Sequence, residues 1–247
     1  MNRLVLVLWL IAAVSGLHAQ EDEAAPTATV AIASQRVFRG VKCSGASGQG
    51  SFQVARDTWR MGAEFIQPFD HDEPDEGNLN AAYGWHATKQ LKLEASVTSR
   101  WFSKMPPGAT RYSFEAGISA AWTLPKDFSL ELAAFHDWRL KADTLQATVN
   151  YSMPLKSLGA YLEWSASVGT ATARDLRPAA VGSSAPVRDA YSYYTASVRL
   201  PYRIGPHSML VTGVHLAKTD NQSPFWSPIG ARSGTRVWAE LGLSFDF

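Results

Sequence analysis

One cysteine, Cys43, is present in 247 residues, so an internal disulfide is excluded. Long apolar runs are missing too. The longest, Leu4 to Val14, falls short of the about 20 residues a membrane-spanning helix needs. Neither sign of charge prevails, with 23 Lys and Arg against 22 Asp and Glu. That balance argues against a nucleic-acid binder, which carries a basic excess or patch. Motif chemistry is equally sparse. There is no G-x-S-x-G elbow, no H-E-x-x-H, and no glycine-rich phosphate loop opening a helix. Nothing implies a cofactor.

What is present begins with an export signal. Arg3 gives a short basic start, Leu4 to Val14 an apolar middle, and Gly16-Leu17-His18-Ala19 a small-residue cleavage site before Gln20-Glu21-Asp22-Glu23. Residues 1–19 thus read as a signal peptide and 20–27 as a short N-terminal segment. Residues 28–247 read as one domain. Cys43 lies too far beyond the signal to be a lipid anchor and reads as a half-buried residue near a loop.

Past residue 27 the dominant pattern is period-two alternation, which marks strands with two chemically different faces. In Leu91 to Trp101 the odd positions are mostly apolar, while the even ones are Lys92, Glu94, Ser96, Thr98 and Arg100. Phe114, Ala116, Ile118 and Ala120 alternate with Ser113, Glu115, Gly117 and Ser119. Leu162, Trp164, Ala166 and Val168 alternate with Glu163, Ser165 and Ser167. About twelve strands follow: 28–41, 49–56, 59–67, 78–86, 89–101, 110–122, 127–137, 142–152, 157–169, 188–200, 206–217 and 235–247. Several run to about 10 residues, the length a tilted strand needs to cross a bilayer.

Connections and aromatics point the same way. The links at 57–58, 87–88, 123–126, 153–156 and 201–205 are tight, and the opposite set is mostly longer. Short periplasmic turns alternating with longer outer loops are the rule for membrane barrels. Trp59, Trp85, Trp122, Phe128 and Tyr151 fall at one predicted rim; Trp101, Tyr112 and Trp138 fall at the other. The last strand alternates from Val237 to an aromatic end at Phe247. It resembles the closing strand of bacterial outer-membrane proteins, which their assembly machinery reads. The fold class expected is all-β: a closed antiparallel transmembrane β-barrel whose closure satisfies every backbone group in lipid.

The segment Thr29 to Val41, with Phe38-Arg39-Gly40 followed by Ser44-Gly45-Ala46-Ser47-Gly48-Gln49-Gly50, resembles the opening of the TorF-like family of porins. The match covers that opening and extends elsewhere only as architecture. Gln35-Arg36 and Lys42-Cys43 depart from the family pattern. The resemblance implies an outer-membrane barrel of undefined substrate, in contact with outer-membrane lipid and lipopolysaccharide.

With the apolar faces toward lipid, the other faces line a lumen. Its candidate residues are Arg39, Arg60, Glu64, Lys92, Glu94, Arg100, Glu115, Glu131, Glu163, Arg199 and Glu240, with Asp137 and Arg236 beside them. Similar sequence depths suggest a glutamate-rich belt bridged by Arg60, Lys92, Arg100 and Arg199. Two readings stand. The charges pair and plug the lumen, or they line a wet constriction that selects small solutes. The acidic run Asp70 to Glu76 reads as a solvated loop tip, lacking the spacing of a calcium loop. The leading function is a passive channel. A non-conducting barrel acting through its outer loops is second, and a lipid-modifying enzyme using one of the six histidines is third.

Overall fold

The computed structural model describes residues 25–104, 111–176, 187–220 and 234–247. The signal reading, and most of the expected loops at 170–187 and 218–234, lie outside these residues. The chain begins with β1 (Ala25–Ala33), followed by two short strands, β2 (Arg36–Phe38) and β3 (Val41–Ser44). Eleven long strands come next. They are β4 (Ser47–Arg56), β5 (Trp59–Pro68), β6 (Glu76–His86), β7 (Leu91–Phe102) and β8 (Tyr112–Leu124). Then come β9 (Phe128–Asp137), β10 (Ala142–Leu155), β11 (Ala160–Leu176), β12 (Val187–Gly205), β13 (Ser208–Thr219) and β14 (Gly234–Asp246). Every long strand pairs antiparallel with its chain neighbour, and β1 joins β4 on one side and β14 on the other. Thr29 stands opposite both Ser51 and Ser244, so the ring is closed. The result is a twelve-strand antiparallel barrel.

Burial runs opposite to that of a water-soluble protein. Ile118 and Leu145 are 66% and 60% exposed on the outer face. Val97, Leu132, Val149, Val214 and Val237 are exposed beside them. The buried set inside includes Glu76, Asn78, Arg100, Ser113, Glu115, Asp137 and Thr144. An apolar exterior this extensive suits an apolar surrounding rather than water. Aromatic side chains mark both rims. Trp59, Trp85 and Phe128 are exposed at the end with the short turns, and Trp101, Tyr112 and Trp138 at the other. Phe128 stacks on Tyr151 at 4.4 Å, and Phe114 on Trp138 at 5.2 Å.

Two expectations need correction. The predicted strand 28–41 is two things: β1 stops at Ala33, and residues 34–46 fold away from the wall as the β2–β3 hairpin. The hairpin brings Arg36 to Glu76 and Arg39 to Glu115 inside the barrel, and a buried guanidinium needs such a partner. The barrel also begins at Ala25 and takes in three residues of the short segment expected to precede it.

Candidate functional site

The lumen has two chemically distinct halves. At the end with the longer loops, the β2–β3 hairpin reaches across the interior. Its turn is built on positive φ at Arg39 (46°) and Gly40 (78°). A Cβ at Gly40 would lie 2.6 Å from Cβ of Tyr193 and 2.9 Å from Cγ2 of Thr219, so only glycine fits against that wall. Val41, fully buried, sits in a socket of Leu140, Ala142, Ala171, Ala173, Tyr191 and Tyr193.

Charge clamps the rest of the hairpin. Arg39 donates to both oxygens of Glu115, at 2.7 and 2.9 Å, and also to Thr144 at 3.1 Å. These two side chains are only 6% and 4% exposed. Arg100 approaches the same carboxylate at 3.4 Å. Its guanidinium lies 4.4 Å from the Phe38 ring centre, and that of Arg39 lies 4.6 Å from the centre of Phe135. On the facing side Arg36 pairs with Glu76 at 3.2 Å and Glu64 at 3.6 Å. Burial works against its charge, but these two glutamates more than offset that and hold its proton more firmly than usual. Asn78 donates to both Glu64 and Glu76, at 2.7 and 3.0 Å.

The acidic run is therefore not merely a solvated tip. Glu76 opens β6, is buried and grips Arg36, and Glu73 accepts the backbone N–H of Gly45 at 2.8 Å. Cys43, expected half-buried, is buried in β3. Burial pushes its thiol up to about 12, with Glu76 adding to the shift and Arg36 opposing it.

The half toward the short turns is open. Arg60 reaches Glu94 at 2.6 Å, and Lys92 stands 3.6 Å from the same carboxylate. Arg199 donates to Glu240 at 3.0 Å and lies 3.9 Å from Glu163. Arg60, Lys92, Glu163 and Arg199 keep 44–47% of their side chains exposed. Two cavities meet at Arg199. One of about 440 Å³ is lined by Ser129, Asn150, Ser152, Glu163, Ser165 and Ser197. The other, about 230 Å³, runs past Thr29, Gln49, Ser51, Glu64 and Glu240. Glu131 projects inward from β9 and has no ion-pair partner among the described residues.

The predicted lining residues thus divide among separate clusters rather than forming one belt. Arg39, Arg100 and Glu115 lie in the hairpin clamp, and Glu64 in a second clamp with Arg36. Arg60, Lys92 and Glu94 lie on one open wall, and Glu163, Arg199 and Glu240 on another. Strand stagger separates groups of equal sequence depth. Arg36, Glu76, Tyr191, Tyr193 and Trp238 were not among the predicted lining residues. The available signal for the hairpin was the lapse of alternation at Ser34-Gln35-Arg36 and Val37-Phe38; length was none, because β11 and β12 run to 17 and 19 residues within the wall. Among the histidines, His215 stacks on Trp238 at 5.0 Å and stands 3.5 Å from Glu240. His136 pairs with Asp143 at 2.7 Å. Neither is joined to a serine among the described contacts.

Fold and lumen together define the class: a closed twelve-strand antiparallel β-barrel with an apolar outer face and a polar, charged interior. No family model matches the chain, and no curated protein matches it. Solved structures do. The NanC porin superposes with a TM-score of 0.58 at 10% identity, over 89% of this chain and 100% of its own. The KdgM porin gives 0.53 at 11% identity, over 90% of this chain and 99% of its own. An outer membrane channel from Pseudomonas putida F1 gives 0.51 at 10% identity, over 94% and 100%. At such identities the likeness is one of fold.

Proposed function

We propose that this chain is a passive channel for small hydrophilic solutes in a bacterial outer membrane, with the infolded hairpin setting its conductance. One observation carries the reading: half of the lumen is a wet, charged vestibule, with Arg60, Lys92, Glu163 and Arg199 open to solvent. A barrel serving only as a scaffold gains nothing from such charges unless they are paired and packed away. The apolar exterior would meet outer-membrane lipid and lipopolysaccharide, and the porin fold of the structural neighbours supports the same reading.

Conductance across planar bilayers tests it. The full chain is expected to give discrete current steps. A variant with residues 35–45 replaced by a short Gly-Ser linker is expected to give larger ones. If neither protein passes current once folded, the channel reading fails.

A second reading rests on the hairpin itself. Its contacts run from Glu64 on β5 round to Thr219 on β13, and that seating favours a non-conducting barrel acting through its outer loops. Silence from both proteins in the same experiment is the outcome this reading expects.

A further inference from the structure

The open half of the lumen carries opposite excess charge on opposite walls. In the ring of twelve, β5, β6 and β7 stand six places from β11, β12 and β13 in either direction, so these groups face each other. On the first wall Arg60 and Lys92 share the single carboxylate of Glu94. Two cations against one anion leave an excess of one positive charge. On the second wall Arg199 serves both Glu163 and Glu240, the latter on β14 beside β13. With Arg203 and Asp246 on the same faces of β12 and β14 nearer the short turns, the wall has two cations against three anions, an excess of one negative charge when His215, next to Glu240, is counted as neutral. Glu131 on β9 adds negative charge between the two walls. Higher up, Glu64 is taken up by Arg36 and Asn78. The surface between the walls is neutral and hydrogen-bonding: Ser129, Asn150, Ser165 and Ser197 lie in register across β9 to β12.

Distance decides whether a solute feels both walls. Twelve strands spaced about 4.8 Å and tilted about 40° make a ring about 24 Å across between backbones. Inward Arg and Glu side chains leave roughly 10 Å, close to the Debye length of about 8 Å at physiological salt. The walls therefore impose a transverse field on whatever occupies the gap.

We infer that the vestibule favours small zwitterions, molecules with an ammonium and a carboxylate a few bonds apart such as an amino acid, over neutral solutes of equal size. This rests on the channel reading above. A zwitterion turns its ammonium to Glu163 and Glu240 and its carboxylate to Arg60 and Lys92, gaining at both ends. A singly charged ion gains at one wall and loses at the other, and a neutral polyol gains only hydrogen bonds.

Swelling of proteoliposomes holding the full-length folded barrel, in serine against erythritol, tests the inference, with protein-free liposomes subtracted. Serine is expected to enter severalfold faster. Lys92→Gln and Glu163→Gln each cancel the excess on one wall, and either is expected to bring the ratio toward one. Equal rates in the parent protein overturn the inference, as does a serine preference that survives both substitutions. If neither solute enters and the hairpin-replaced variant passes no current, the channel reading falls instead, and this inference with it.

Discussion

Glu115 receives Arg39 and Arg100 together in a site almost closed to water. Taking away one partner of a buried ion pair costs about 3–5 kcal/mol, because the remaining charge stays desolvated. Glu115→Ala is therefore expected to lower the temperature at which the folded barrel loses its compact gel mobility and to loosen the hairpin. Cys43 reports that loosening. Its thiol is buried and keeps its proton to about 12, whereas a thiol in an unfolded chain ionises near about 8.5. In detergent at pH 8.5 the folded protein should resist maleimide, the urea-unfolded chain should react quickly, and Glu115→Ala should react at an intermediate rate. Equal labelling of parent and variant would remove the clamp from the account. The sign of the pH effect follows. Above the ordinary thiol range the unfolded chain sheds a proton that the folded hairpin keeps, so this contribution to stability declines as pH rises toward about 12.

Among the elements, the hairpin and the strands answer to different rules. The hairpin is seated by shape at one point, where Gly40 combines positive φ with contact against Tyr193 and Thr219. Gly40→Val meets both obstacles and should unseat the turn, giving faster Cys43 labelling and larger current steps; unchanged values of both would contradict the seating. The strands are held by which face meets lipid. Ile118 points outward from the middle of β8, and Ser119 follows it on the inner face. A lysine facing lipid near mid-bilayer costs about 2–4 kcal/mol, and one in a wet lumen costs little. Ile118→Lys should lower the folded fraction in vesicles, read by heat-dependent gel mobility, while Ser119→Lys folds like the parent. Equal folding of the two variants would reverse the assignment of faces.

For the whole molecule, the channel proposed above makes the arrangement of charge the determinant of what the lumen would pass. Glu131 carries a negative charge with no ion-pair partner among the described residues, and Glu94 balances Arg60 and Lys92. Glu131→Gln removes free negative charge, and Glu94→Gln leaves two cations uncompensated. Both are expected to move the reversal potential under a salt gradient toward anion preference, Glu94→Gln the further. A shift in opposite directions, or none in either, would show that these groups do not face the conducting path.

Alternation, together with strand length and turn spacing, determined the barrel. The polar set Lys92, Glu94, Ser96, Thr98 and Arg100 against outward Ala95, Val97 and Trp101 already says which face is wet, because a strand's faces separate every second residue. Turn spacing then gave the order of strands, and each predicted strand after residue 48 appears within a few residues of its expected ends, apart from the long β11 and β12. What lay beyond local pattern was the hairpin. Arg36 and Arg39 sit where alternation lapses, with three polar residues at 34–36 and then Val37-Phe38, but a lapse by itself does not say that the chain leaves the wall at Ser34 or where it goes. Their partners Glu76 and Glu115 are 40 and 76 residues away. The same holds for the open walls: the sequence names Arg60, Lys92, Glu163 and Arg199 as inward, but only ring closure and strand stagger place them on facing sides. Local periodicity reports environment one residue at a time, while pairing across a closed sheet depends on the register of all twelve strands.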